Sequence, residues 1–341
     1  MRTSLSRVCV LCSFISNRMG LSCTLIDEVF SYHSLVLCVN HQFPAMFTAP
    51  TTISNYFNMV PIDKSNVRSD PPYIGGAFGI FIIPDRTFGG LSVSQAVNSF
   101  ITLNPGLTPH TINYKFVAPA KTSIPLQFKL SHFDDGKMAS IFAYQNEKPV
   151  GMGHIRYTKD SDHLDSSSFL CPDHIGSPHR YPRAEELVPT MEGHRKVVMT
   201  ELGKFPLEYR PVESPLDLSN ERDRMSIWLR IKPHHQDDLK PNDGLLVLLF
   251  ISDFSILQAG SEIYQKSKVQ ISSGASLHHS VWIHDTNLDP LAWYLTVVEC
   301  EVISFGRVRL ESYIFNESRK CVMTVVQEGY MQRAKEEMNK L

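Results

Sequence analysis

Any acid–base chemistry in this chain would centre on Asp253. The stretch Ile251-Ser252-Asp253-Phe254-Ser255-Ile256-Leu257-Gln258-Ala259-Gly260 reads as the start of a buried helix, because Phe254, Leu257, Ile263 and Tyr264 recur near the i, i+3, i+4, i+7 spacing of one face. Asp253 is then expected at the N-terminal end of that helix, where unpaired N–H groups and the dipole keep a carboxylate ionised. Ser276, ahead of a strand, and Gln327, late in another, carry polar groups able to converge on it. A second feature is Gly89-Gly90 before the run 91–103. A glycine at a helix start lets a ligand approach backbone N–H groups closely, so the pair is a candidate carbonyl or oxyanion site. It reads equally as a tight turn into the helix.

These residues must be held by elements the sequence also announces. Residues 91–103 make a helix of about three turns, stopped by Asn104-Pro105-Gly106. Strand-like runs follow at 111–117, 125–132, 139–145 and 150–157, separated by Pro119, by Asp134-Asp135-Gly136 and by Asn146-Glu147-Lys148-Pro149. The same order returns later: 91–96 reads against 254–259, 111–117 against 277–283, and 142–147 against 312–317. Each half has one long helix and too few strands to bury it alone, so the two repeats are expected to share one continuous sheet with two central helices. In this alignment Gly90 stands at the position of Asp253. That asymmetry suggests that the second repeat does chemistry while the first supplies packing or backbone donors.

The expected organisation is an N-terminal extension over 1–45, a first repeat over 53–158, a linker over 159–222, a second repeat over 223–333 and a tail over 334–341. The linker is rich in Ser, Asp, His and Pro, with brief regular structure expected at 181–191 and 204–212. A first strand of the second repeat is read at 225–231, and a C-terminal helix from about Met331. At 341 residues, with 43% hydrophobic and 20% charged residues, the chain is ordinary globular material. A net charge of -2 gives no sign of a nucleic-acid partner. Apolar runs at 8–15 and 34–39 fall short of the ~18 residues that cross a bilayer. Basic residues before the first run leave a signal or transit peptide open beside a poorly ordered extension, and Met46 is a credible alternative start. Of seven cysteines, Cys171, Cys300 and Cys321 read as scattered thiols. Cys9 and Cys12 have metal-ligand spacing without a matching second pair, and His234-His235 with Asp237-Asp238 reads as a solvated loop, so no metal is expected.

The segment Thr87-Phe88-Gly89-Gly90 followed by Gln95-Ala96 resembles the Phe-Gly-Gly helix start of the acyl-CoA thioesterase II family. The second half is similar to that family through Ser252-Asp253, through Ala275-Ser276-Leu277-His278-His279-Ser280-Val281-Trp282-Ile283-His284, and through Val326-Gln327-Glu328-Gly329. The resemblance covers roughly 53–333. It implies an α+β double hotdog, each repeat a long helix wrapped by a curved antiparallel sheet, and hydrolysis of acyl-CoA to CoA and a fatty acid without a cofactor. The family holds its attacking water with an Asp, a Ser or Thr, and a Gln, which match Asp253, Ser276 and Gln327. Asp253 would be the base, and the other two would orient the water. Gly89 and Gly90 would contact the substrate.

Two positions depart from the family pattern: Leu91 replaces the usual Gln of Phe-Gly-Gly-Gln, and His278 replaces the Asp of Ser-Leu-Asp-His. These keep alive an acyl-CoA-binding module that has lost activity. A hotdog enoyl-CoA hydratase using Asp253 with His279 is the rival among enzymes. A Ser276-His279-Asp253 nucleophile is disfavoured, since residues three apart on a regular strand face opposite ways. Arg86, Arg307 and Arg309 are candidates for the CoA phosphates by position alone. The ending Asn339-Lys340-Leu341 is one residue from Ser-Lys-Leu, so a peroxisomal import receptor is an expected partner, with the cytoplasm as alternative. A homo-oligomer is left open as a further partner.

Overall fold

The computed structural model describes residues 59–61, 73–75, 85–133, 136–159, 171, 173–191, 196, 200, 203, 205–212, 224–240, 243–266, 269 and 271–333. The chain divides into two units, Met1–Ala49 and Pro50–Leu341, and every described residue belongs to the second. The apolar runs near the start, Cys9 with Cys12, and Asn339-Lys340-Leu341 lie outside the described residues.

The first repeat runs β1 (Met59–Pro61), β2 (Tyr73–Gly75), α1 (Gly89–Leu103), β3 (Leu107–Phe116), β4 (Leu126–His132), β5 (Met138–Gln145) and β6 (Lys148–Lys159). Between the repeats come the short helix α2 (Ala184–Leu187) and β7 (Leu207–Pro211). The second repeat runs β8 (Arg224–Ile231), α3 (Gly244–Ser252), α4 (Ile256–Lys266), β9 (Ile271–Ile283), β10 (Tyr294–Ser304), β11 (Arg307–Phe315) and β12 (Cys321–Arg333). All twelve strands among the described residues form one sheet, ordered β1-β2-β4-β5-β6-β3-β9-β12-β11-β10-β8-β7. Read outward from the β3–β9 junction, β3-β6-β5-β4-β2 is repeated by β9-β12-β11-β10-β8. This double hotdog has the continuous sheet that two under-covered helices require.

The strands near the site follow the sequence reading closely, extended by a few residues where pairing continues. Asn146 and Glu147, both at positive φ, make the two-residue turn between β5 and β6, and Phe305-Gly306 does the same between β10 and β11. Two readings are corrected. Residues 331–333 are not the start of a helix; they finish β12, where Met331 pairs with Gly274 and is buried against the core. The helix read as starting at Asp253 begins at Ile256 as α4, and another helix, α3, precedes it and ends three residues before Ser255, which stands at φ 63.

Helix α1 is buried over most of its first three turns, and α3 is buried along its whole length. They run antiparallel and in close contact: a Cβ at Gly90 would meet the Phe250 carbonyl oxygen at 2.4 Å, and one turn on the Ser94 hydroxyl donates to the Leu246 carbonyl at 2.9 Å. Small residues at 90 and 94 are what permit this approach. The stretch Gly244–Ser261 is long and apolar enough to cross a membrane by length and composition, but it is 78% buried within the fold as the core helix of the second repeat. Beneath the helix ends Phe88, Phe205, Phe250 and Phe254 pack edge to face, tilted or stacked, with ring centroids 5.1 to 6.5 Å apart.

Candidate active site

The helix break defines the site. Asp253 is the C-cap of α3, and the Phe254 N–H turns back to the Ile251 carbonyl at 2.8 Å. The expectation that Asp253 begins its own helix is therefore wrong in detail. Its N–H partner comes from the other repeat: Gly90 N–H, at the start of α1, donates to Asp253 Oδ2 at 2.9 Å. The carboxylate thus caps the first repeat's helix, and that helix's dipole favours its charge. The two positions that align between the repeats touch each other.

Ser276 and Gln327 complete the group. The Ser276 hydroxyl donates to Asp253 Oδ1 at 3.3 Å, and Gln327 Nε2 donates to Ser276 Oγ at 2.9 Å. The Gln327 amide also favours the charged form of the Asp253 carboxylate. Gln327 is fully buried, Asp253 is 8% exposed and Ser276 is half-buried, so the cluster opens only on the Asp253 and Ser276 side. The structure thus brings together the three polar residues singled out from the sequence.

Gly89 and Gly90 lie where expected but act differently from the expectation. The Gly90 N–H is taken by Asp253 and is not a free carbonyl donor. A Cβ at Gly89 would stand 2.5 Å from Asp253 Oδ2 and 2.9 Å from the Phe116 ring, so glycine here leaves the space the carboxylate fills. Leu91 is fully buried in the core.

His279 joins the same group, against the strand-parity argument. Its register partner on β12 is Gln327, whereas Gly329 pairs with Ser276, so one residue of β9 is extra at this point. That β-bulge at Leu277 resets the alternation and turns Ser276 and His279 to the same face. His279 Nδ1 lies 2.5 Å from Gln327 Oε1, and Nε2 lies 2.9 Å from Ser252 Oγ. Ser276 contacts Gln327 and Asp253 and not the imidazole, so no Ser-His-Asp relay is assembled. A count of two back from Ile283 and Val281 would have shown His279 facing inward; the bulge carries no clear sequence signal.

His278 points the other way. Its Nε2 lies 3.1 Å from Ser280 Oγ, and Ser280 donates to Asn113 Oδ1 at 2.8 Å across the β3–β9 junction. Arg307 is paired with Glu328 at 3.5 Å and lies over the Tyr330 ring, Arg309 is paired with Glu301, and Arg86 is exposed. The His234 and His235 rings lie tilted with centroids 4.1 Å apart in a 3-10 turn, and among the described residues no group of His, Cys, Asp or Glu is arranged to hold a metal.

The electrostatics are those of a buried base. Desolvation pushes the Asp253 carboxyl above the usual range, more than the His279 charge and the hydrogen bonds from Gln327, Gly90 and Ser276 pull it down. A reaction that uses ionised Asp253 should lose kcat/KM as pH falls, with a midpoint above the ~3.9 of an ordinary aspartate. A pH–rate profile with no acid limb above that value would contradict this assignment.

Residues 182–331 match the family described as the acyl-CoA thioesterase C-terminal domain. The matched span includes Asp253, Ser276, His279 and Gln327, together with α2 and β7 from the region between the repeats. Among solved structures, the fold is similar to the acyl-CoA thioesterase II TesB2 of Mycobacterium marinum, at 18% identity and a TM-score of 0.60, over 82% of this chain and 97% of that one. It is also similar to a tesB protein of Mycobacterium avium subs paratuberculosis, at 17% identity and TM-score 0.58, over 76% and 92% of the two chains. A hot dog fold protein of unknown function from Alicyclobacillus acidocaldarius aligns at 16% identity and TM-score 0.57, again over 76% and 92%. At these identities the likeness is one of fold. No curated protein matches the chain by sequence.

Proposed function

We propose that this chain hydrolyses fatty acyl-CoA to CoA and the free acid by direct attack of water. The observation that carries the reading is the Asp253–Ser276–Gln327 group held on the N-terminus of α1, within a span matching the acyl-CoA thioesterase C-terminal domain. Water attacks the thioester carbonyl carbon while Asp253 takes its proton; collapse of the tetrahedral adduct breaks the C–S bond, and the thiolate leaves to be protonated as CoA. Ser276 holds Asp253 Oδ1, so the carboxylate keeps one orientation as the proton arrives. Gln327 supplies the amide donor that fixes the water against it. No metal or organic cofactor enters this scheme.

Hydration of an enoyl thioester would need His279 facing the substrate. His279 is fully buried and both ring nitrogens have partners, which disfavours that reading. The discriminating assay follows thiol release across acyl-CoA chain lengths: release that vanishes in Asp253→Asn supports the proposal. Binding without release would leave an acyl-CoA-binding module instead.

Peroxisomal action is part of the same proposal and rests on Asn339-Lys340-Leu341 alone. A fusion carrying a fluorescent protein ahead of residue 1 should move to the cytosol when 339–341 are deleted. An unchanged location removes the import receptor as a partner.

A further inference from the structure

We propose that His279 is a positioning residue for the water-orienting amide: its Nδ1–H holds Gln327 Oε1 and so turns Gln327 Nε2 toward Ser276 and Asp253. The inference deepens the hydrolase reading above, and its kinetic part rests on that reading.

The two ends of a glutamine amide are nearly alike in shape and opposite in hydrogen-bonding character. Turned over, Gln327 would face the Asp253 carboxylate with a carbonyl oxygen and could donate to neither Ser276 nor a water. His279 decides between the two orientations. It sits directly opposite Gln327 in the β9–β12 ladder, with both side chains facing inward, so a contact between them follows from the register. The 2.5 Å approach is to Oε1, which can only accept, so Nδ1 carries the proton.

The other ring nitrogen fixes the imidazole in place. Nε2 meets Ser252 Oγ at 2.9 Å, and that hydroxyl donates to the Leu249 carbonyl at 2.7 Å in the last turn of α3, so Oγ accepts from Nε2. Ser252 immediately precedes Asp253. The ring thus ties the strand bearing Gln327 to the helix end bearing Asp253, the two parts whose separation sets where the water sits. Burial lowers the His279 pKa against the opposing pull of Asp253 and Gln327. Being fully buried, His279 does not touch substrate; it acts through Gln327.

The test uses the full chain with His279→Leu, His279→Asn, Gln327→Ala and the double variant His279→Leu/Gln327→Ala. Loss of the donor should lower kcat by roughly 10²-fold, the scale of a misplaced catalytic group, with KM nearly unchanged. Asn at 279 keeps an N–H able to reach Oε1 and should recover most of that loss. In the Gln327→Ala background, His279→Leu should add little, because the group it orients is gone. Additive losses, or full activity in His279→Leu, would overturn the proposal. A measurement independent of turnover is the nitrogen-15 spectrum of His279 in the unsubstituted protein. A proton on Nδ1 supports the clamp, whereas one on Nε2 alone overturns it, even if the variants fail to fold. If the unsubstituted chain releases thiol from no acyl-CoA, the hydrolase reading falls, and the spectrum still decides the orientation of Gln327.

Discussion

Asp253→Asn is expected to lower kcat on acyl-CoA by at least ~10²-fold with KM within about twofold, and to raise rather than lower the thermal midpoint at neutral pH. The first half follows from removing a base whose worth is expressed only as the water's proton moves. The second follows from burial. Desolvation of Asp253, opposed by His279, Gln327, Gly90 and Ser276, leaves its folded pKa above the unfolded one. The native state therefore holds that proton more tightly than the unfolded chain. The stability this contributes is full below the unfolded pKa and is lost as pH rises through the folded value. At neutral pH the ionised carboxylate is a cost that asparagine does not carry, the usual opposition of activity and stability at a strained site. Paired assays of thiol release and thermal unfolding check both halves. Unchanged turnover would remove Asp253 as the base, and a lowered midpoint would mean that the charge is compensated in the fold.

The two glycines that begin α1 should fail in different ways. At Gly89 an added Cβ would press on Asp253 Oδ2 at 2.5 Å and on the Phe116 ring, both side-chain atoms able to move. Gly89→Ala should keep most of its stability, since alanine favours the helix by about 1 kcal/mol over glycine. It should nevertheless lose about 10²-fold in kcat, because displacing the base by even an ångström spoils its alignment. At Gly90 the obstacle is the Phe250 carbonyl at 2.4 Å, a backbone atom of the packed helix α3. Gly90→Ala must push the helices apart and should cost about 1–3 kcal/mol, as overpacked cores do. Urea unfolding alongside the thioester assay separates the two. Equal losses of stability would contradict the division.

Turn residues and apolar period made the helix and the four strands of the first repeat readable along the sequence, as they report local preferences that the fold respects. The internal repeat went further. Two helices with too few strands each implied a shared sheet, and the β3–β9 junction supplies it. Asp253, Ser276 and Gln327 were identifiable as types and spacings, and they meet in space. Where sequence reasoning failed, it had assumed regularity. The inner face of β9 was counted by strict alternation, and one extra residue at Leu277 reversed the count for Ser276 relative to His279. The second helix was started at Asp253, whereas the structure puts α3 before that residue and begins α4 only after Ser255 at positive φ.

What the sequence determined by itself was the inventory: a doubled α+β chain, a glycine pair at one helix start, and a carboxylate, a hydroxyl and an amide in the second repeat. What only the tertiary structure decided was which groups face one another. Asp253 finds its N–H on the other repeat's helix, and His279 finds Gln327 across the ladder. Periodicity reports the solvent and core faces of single elements, whereas these contacts depend on how two helices pack and where one strand bulges, which depend on packing between distant parts of the chain.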